Sequence, residues 1–481
     1  MRWGRILKAA AIALCPLVFL SGSVQAYAED SYIYDSSGKA VPSRAGYKAM
    51  RSVSGNELGC GDFSEPADIF RSSSGEFFIA DSGNDRIVRV DSGFTESAAE
   101  YSSFIDSQGG RLTLSSPGGI YVSDEGLMYV ADTGNSRIIV SDMECNIKTV
   151  IERPAADMYE NETFRPCRVL ADKDGNIYSV VSNMTGGAAF FRSSGEYSGS
   201  FGANSTEPTI QAVLSYLRKL FSTDKMRESY ARSTPAGITS FDIDSEGFVY
   251  TVSESDSVRS DRIKKVGAAG VNLFSRMGQY FGDTETDGVT QTRLVDIDVD
   301  EAGRICCLDA GTGRIFQYDE GGGLLFIFGE QSERLGGFSL NPTAIETSDN
   351  CVYVTDGMKN TVTIFEETDF GRTVRSAVTL YNDGYYEEAL EPWYEVLRQD
   401  GNYMGAYRGI SSALLCKGDY KGAMEYAELG GSSYHYNKAF ECWRDDWLGE
   451  NFKWLAAAAV IFTVICTAAG RLRKKRRTWH L

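Results

Sequence analysis

Two stretches of this chain repeat one another at a displacement of 51 residues, and no other feature limits its fold as much. Pro66-Ala67-Asp68-Ile69 leads through Ser74-Gly75-Glu76 to Phe77-Phe78-Ile79-Ala80-Asp81-Ser82-Gly83-Asn84-Asp85-Arg86-Ile87. Pro117-Gly118-Gly119-Ile120 leads in the same way to Met128-Tyr129-Val130-Ala131-Asp132-Thr133-Gly134-Asn135-Ser136-Arg137-Ile138. Weaker copies begin near Pro166, run through Asp244–Tyr250 and Asp300–Ile315, and end with Pro342 to Asp356. Each unit reads as a strand, an Asp/Gly turn, a second apolar strand, another such turn and a third strand. Asp and Asn bond their own backbone in such turns, and Gly takes positive φ there. A unit of this kind covers its faces only against its neighbours. Six copies closed radially make a six-bladed β-propeller.

The D-x-G-N-x-R-I runs at Asp81–Ile87 and Asp132–Ile138, with a degraded version at Asp309–Ile315, resemble the NHL repeat over about 55–365. The fold class expected is therefore mainly β: an NHL-type propeller over 31–368. Tyr32-Ile33-Tyr34 is expected to supply the outer strand that closes the last blade. The Asp and Arg of each run are expected to stabilise their turn. One spacing departs from the period: Gly175 and Gly247 are 72 residues apart. The excess, 207–232, carries Ile210, Val213, Leu214, Leu217 and Phe221 at helical spacing, with a local group of bases. It reads as an amphipathic helix that packs on the propeller or serves as a docking arm.

After Phe370 the period becomes 34. Leu380-Tyr381, Gly384, Tyr386 and Ala389 recur as Leu414-Leu415, Gly418, Tyr420 and Ala423. This resembles tetratricopeptide repeats over 373–446 and implies a small all-α module. Two units are fewer than such arrays use, so the module is expected to lean on the propeller or on a partner. Trp454 to Gly470 then runs without a charge, and six bases follow between Arg471 and Arg477. That pattern reads as a transmembrane helix over 453–470 with a cytoplasmic tail over 471–481. At the other end, Arg2, Arg5 and Lys8 precede an apolar run and Val24-Gln25-Ala26, a secretory signal peptide cut after residue 26. The body is then extracytoplasmic on a single-pass anchor. Export permits disulfides; Cys145–Cys167 and Cys416–Cys442 each lie within one expected unit.

Composition narrows the function. All 66 acidic residues lie between 27 and 452, and the chain's formal charge is −18, so the body repels nucleic acid. Only two His occur, His435 and His480, and neither lies in the propeller. That removes His-ligated metal sites and His-based triads from it. Stepping seven residues back from each turn Gly places Asp68, Gly119, Arg168, Ser240 and Asp296 at the propeller mouth, and the same step from Asn350 gives Thr343. Two carboxylates and an Arg make a closing cluster rather than a cation site, since a hard cation asks for more oxygen ligands than two. The expected function is a non-catalytic binding or scaffold protein without cofactor or metal. The wider resemblance to bacterial cell-surface NHL proteins implies protein partners in the envelope, transporter components among them; a glycan ligand also suits the Tyr-rich surface. The alternative is a gluconolactonase-like, metal-dependent hydrolase at the mouth.

Overall fold

A computed structural model describes residues 31–160, 163–182, 184–203, 237–253, 262–267, 270–274, 281–283, 292–348 and 350–477. Six antiparallel sheets stand around one axis. Their innermost strands are Pro66–Arg71, Gly119–Val122, Pro166–Ala171, Ile238–Ile243, Leu294–Val299 and Pro342–Thr347, and they define blades 1 to 6. Five blades have four described strands and blade 4 has three. Central strands are buried on both faces, as the successive residues Ile79 and Ala80 in blade 1 and Val130 and Ala131 in blade 2 show, so each blade is clamped between neighbours. Aromatic contacts such as Phe77 of blade 1 on Tyr353 of blade 6, with centroids 4.4 Å apart, fill the seams.

The ring closes with a strand other than the expected one. Tyr47–Ser54 pairs along Thr361–Glu367 as the fourth strand of blade 6. Tyr32–Tyr34 instead forms a hairpin with Ala40–Pro42, and its Tyr32 and Tyr34 hydroxyls donate to Asp283 at 3.0 and 2.6 Å. The longer strand presents seven paired residues against three, so it satisfies more of the edge that blade 6 would otherwise expose.

The D-x-G-N-x-R-I turns behave as expected. Asp132 is fully buried; it accepts from the Ser115 N–H at 2.8 Å, from Asn135 Nδ2 at 2.9 Å and from Arg137 Nε at 2.7 Å. Asp81 repeats this with Ser64, Asn84 and Arg86. The carboxylate thus ties the turn to the chain entering its own blade. The Ile210–Phe221 stretch lies outside the described residues.

Five helices follow: α1 (Asp369–Asn382), α2 (Tyr386–Gln399), α3 (Met404–Cys416), α4 (Tyr420–Leu429) and α5 (Ser433–Arg477). They stack as antiparallel neighbours at the 34-residue period. Gly409 is required where α3 crosses α2, because a Cβ there would lie 2.4 Å from the buried Trp393 ring. The module leans on the propeller. Phe326 of blade 5 meets Phe370 and Tyr403, and the buried Tyr403 hydroxyl donates to the Leu325 carbonyl at 3.1 Å. Asp400 accepts from Ser43 Oγ and the Arg44 N–H at 2.7 and 2.9 Å. Helix α5 is continuous, so the end of the module and the apolar run share one helix. Its Ser433–Arg471 portion is long and apolar enough to cross a membrane.

The described cysteines are all free thiols. Cys145 sits in the turn that follows the third strand of blade 2, and Cys167 at the opposite end of its blade, where the inner strand begins. Neither expected disulfide forms.

Candidate functional site

Adjacent inner strands in the ring belong to different sheets, so their edge N–H and C=O groups have no ladder partner. The sequence supplies side chains for them. Asp68 accepts from the Ile120 N–H at 2.9 Å, Asp242 from Val299 at 2.7 Å, Asp296 from Ile345 at 2.7 Å and Asp298 from Thr347 at 3.1 Å. Each bond runs from one blade to the next. Hydroxyls serve the carbonyls in the same sense: Thr239 donates to Leu294 at 2.9 Å and Thr343 to Pro66 at 2.7 Å.

Asp68, Arg168, Ser240 and Asp296 all line one narrow constriction on the axis. Arg168 Nε stands 3.6 Å from a carboxylate oxygen of both Asp68 and Asp296. Its Nη1 donates to the Gly118 carbonyl at 2.8 Å and its Nη2 to the Thr343 carbonyl at 2.9 Å. One guanidinium from blade 3 thus touches blades 1, 2, 5 and 6. Burial pushes Asp68 up to about 7 and raises Asp296, against the pull of Arg168 on both. Gly119 holds the blade 2 place because a Cβ there would lie 2.9 Å from Arg168 Cα. Thr343 is not the sixth member. Ala344 pairs with Thr355 as Asp68 pairs with Ala80, and Thr343 occupies the bulge before it. The turn Ser348–Cys351 is one residue shorter than Ser72–Glu76, which displaces the count.

A second layer, two residues further along each inner strand, escaped the sequence reading. Asp242, Asp298 and Glu346 line the same constriction on one side, with Phe70, Tyr121 and Leu170 opposite. The alternation of a strand would have found it.

Above the constriction opens a funnel of about 990 Å³, on the face where the inner strands begin. Ser82, Ser116, Thr133, Thr239, Asn341 and Thr343 line it, and Arg168 forms its floor. Apart from that floor the lining is neutral among the described residues. The opposite face carries a cleft of about 590 Å³ between blades 2, 3 and 4, rich in carboxylates. Among the described residues no group of three or more His, Cys, Asp or Glu is placed to hold a metal ion.

Residues 114–140, the core of blade 2, match the NHL repeat family model. The chain carries an NHL repeat. No curated protein matches it in sequence. Solved structures similar to the NHL propeller include virginiamycin B lyase from Staphylococcus aureus, at 12% identity and TM-score 0.41 over 67% of this chain and 100% of that one. Hydrazine synthase from Kuenenia stuttgartiensis gives 12% and 0.37 over 64% and 97%. The extracellular domain of a one component system from B. thetaiotaomicron gives 11% and 0.35 over 62% and 32%. Likeness at this level says nothing about activity.

Proposed function

We propose that this protein is an extracytoplasmic binding or scaffold protein, anchored by α5, that receives a protein partner at the funnel of its NHL propeller and carries out no chemistry of its own. The observation that supports it is the division of labour along the axis. The charged residues of the mouth are consumed in holding blades together, while the wide funnel above them offers neutral hydroxyls, backbone and Asn341. Such a lining suits a peptide loop or a glycan, which need hydrogen bonds without a counter-charge. The basic run after Gly470 supports a cytoplasmic tail and an outward-facing body. The envelope complex is the partner class the resemblance implies.

The hydrolase reading needs oxygen ligands free to face a cation. Asp68 and Asp296 each accept a main-chain N–H and flank a cation already present, Arg168. That arrangement favours the scaffold.

The test is photo-crosslinking in native membranes with a reactive residue at Asn341 on the funnel rim, compared with one at the exposed Lys421 on α4. A discrete envelope-protein adduct from Asn341 is expected. Adducts from Lys421 alone would move the docking surface to the helices, and none from either position would end the proposal.

A further inference from the structure

The second layer of the axis has a chemistry that the binding function does not use. Asp242, Asp298 and Glu346 project into a space of about 50 Å³ from blades 4, 5 and 6. Asp298 and Glu346 are buried and Asp242 is half-buried, and among the described residues no basic side chain pairs with them. Their surroundings are specific. Blade 1 presents Phe70 and Asp68, with the Arg71 N–H placed to favour the charged form of Glu346. Blade 2 presents Tyr121, and blade 3 presents Leu170 and Arg168, whose charge is shared by Asp68 and Asp296 in the layer above. Asp244 and Asp300 stand below, tied to Lys265 and Arg304. Behind Asp296 and Asp298, the Cys306 and Cys307 thiols are held protonated by burial. Ser240, only 1% exposed, lines the same space, and its Oγ has no hydrogen-bond partner. The space admits about one water-sized donor to join them.

We propose that this layer is a proton-holding clamp: Asp242, Asp298 and Glu346 share at least one proton in the folded protein, and losing it loosens the joints between blades 4, 5, 6 and 1. The acceptor bonds explain the geometry. Asp298 takes the Thr347 N–H and the Thr347 hydroxyl on the same oxygen, so a proton on its other oxygen leaves that staple intact, whereas Asp242 takes the Val299 N–H on one oxygen and the Ile243 N–H on the other. With all three ionised, like charges face one another in a space walled by apolar side chains. Burial, followed by mutual repulsion, pushes Asp298 and Glu346 well above the usual carboxylate range; burial raises Asp242 to about 7.

The sign follows from linkage. At acid pH both folded and unfolded chains hold these protons. As pH rises past about 4 the unfolded chain ionises first. Folded stability therefore falls until the clamp ionises as well. For each proton the folded chain keeps, the unfolding constant rises about tenfold per pH unit.

The experiment is urea unfolding of the full chain in detergent from pH 5 to pH 8, followed through the near-ultraviolet signal of the propeller tyrosines. The wild type is compared with Asp298→Asn and with Glu346→Gln. The expected result is a wild-type unfolding constant that rises with pH and a slope reduced in each variant. Should one variant not fold, the other decides, and infrared spectra of the wild type at pH 7.5 give an independent reading as a protonated-carboxyl band absent from the other. A slope equal in wild type and variants, or no protonated-carboxyl band in the wild type, overturns the clamp.

Discussion

Arg168 shows how one residue can set the character of a whole channel. An Asp in its place would add to the acids, and an aliphatic residue would leave Asp68 and Asp296 buried without a counter-charge. Its guanidinium instead offers donors in a fixed plane, reaching carbonyls of blades 2 and 6 while lying between the two carboxylates. Removing one partner of a buried ionic cluster costs about 3–5 kcal/mol, because the remaining charges stay desolvated. Arg168→Ala should therefore lose stability on that scale in urea unfolding. Adding Asp68→Asn and Asp296→Asn to it should restore a substantial part, since neutral amides no longer repel. Arg168→Lys keeps the charge without the planar fork and should fall between. Equal stability of wild type and Arg168→Ala would show that the cluster holds nothing together.

At the scale of elements, legibility tracked how local the determining chemistry is. The D-x-G-N-x-R-I turns were readable because Asp81 and Asp132 bond residues of their own blade. The 34-residue helical period was readable for the same reason. Closure was not, because Tyr32–Tyr34 and Tyr47–Ser54 both read as strands, and the choice between them depends on pairing with a segment some 300 residues away. The sixth mouth position was misread by one residue because a shorter turn precedes Cys351. The lower carboxylates follow from strand alternation once the mouth positions are placed, and Glu346 also needed the sixth position read correctly. Truncation separates the two N-terminal segments. A chain beginning at residue 44 loses the hairpin and should keep a cooperative transition at a lowered midpoint. One beginning at residue 55 loses the ladder to Thr361–Glu367 and the buried Tyr47 and Val53, each worth about 1.5–3 kcal/mol. It should show no cooperative β transition by calorimetry. The reverse order of severity would return closure to Tyr32–Tyr34.

For the whole molecule, what matters is how the funnel is held relative to the apolar helix. The buried contacts form an unbroken chain: Ala439 of α5 belongs to the same core as Ala423 of α4, Ile410 of α3, Trp393 of α2, Phe370 of α1 and Phe326 of blade 5. A propeller linked by a loose tether would present its funnel in every direction; one docked through this core presents it in a defined one. Two helical pairs without that core would expose Phe370, Tyr403 and Val374, and short helical arrays depend on such covered ends. Phe326→Ala removes the ring that meets both Phe370 and Tyr403, a loss of about 3–5 kcal/mol for a buried aromatic. Hydrogen exchange should then quicken in Asp369–Asn382 and Met404–Cys416 while blades 1 to 3 keep their protection. If those helices exchange as slowly as before, the module is stable on its own, and the orientation of the funnel must be set by something other than this joint.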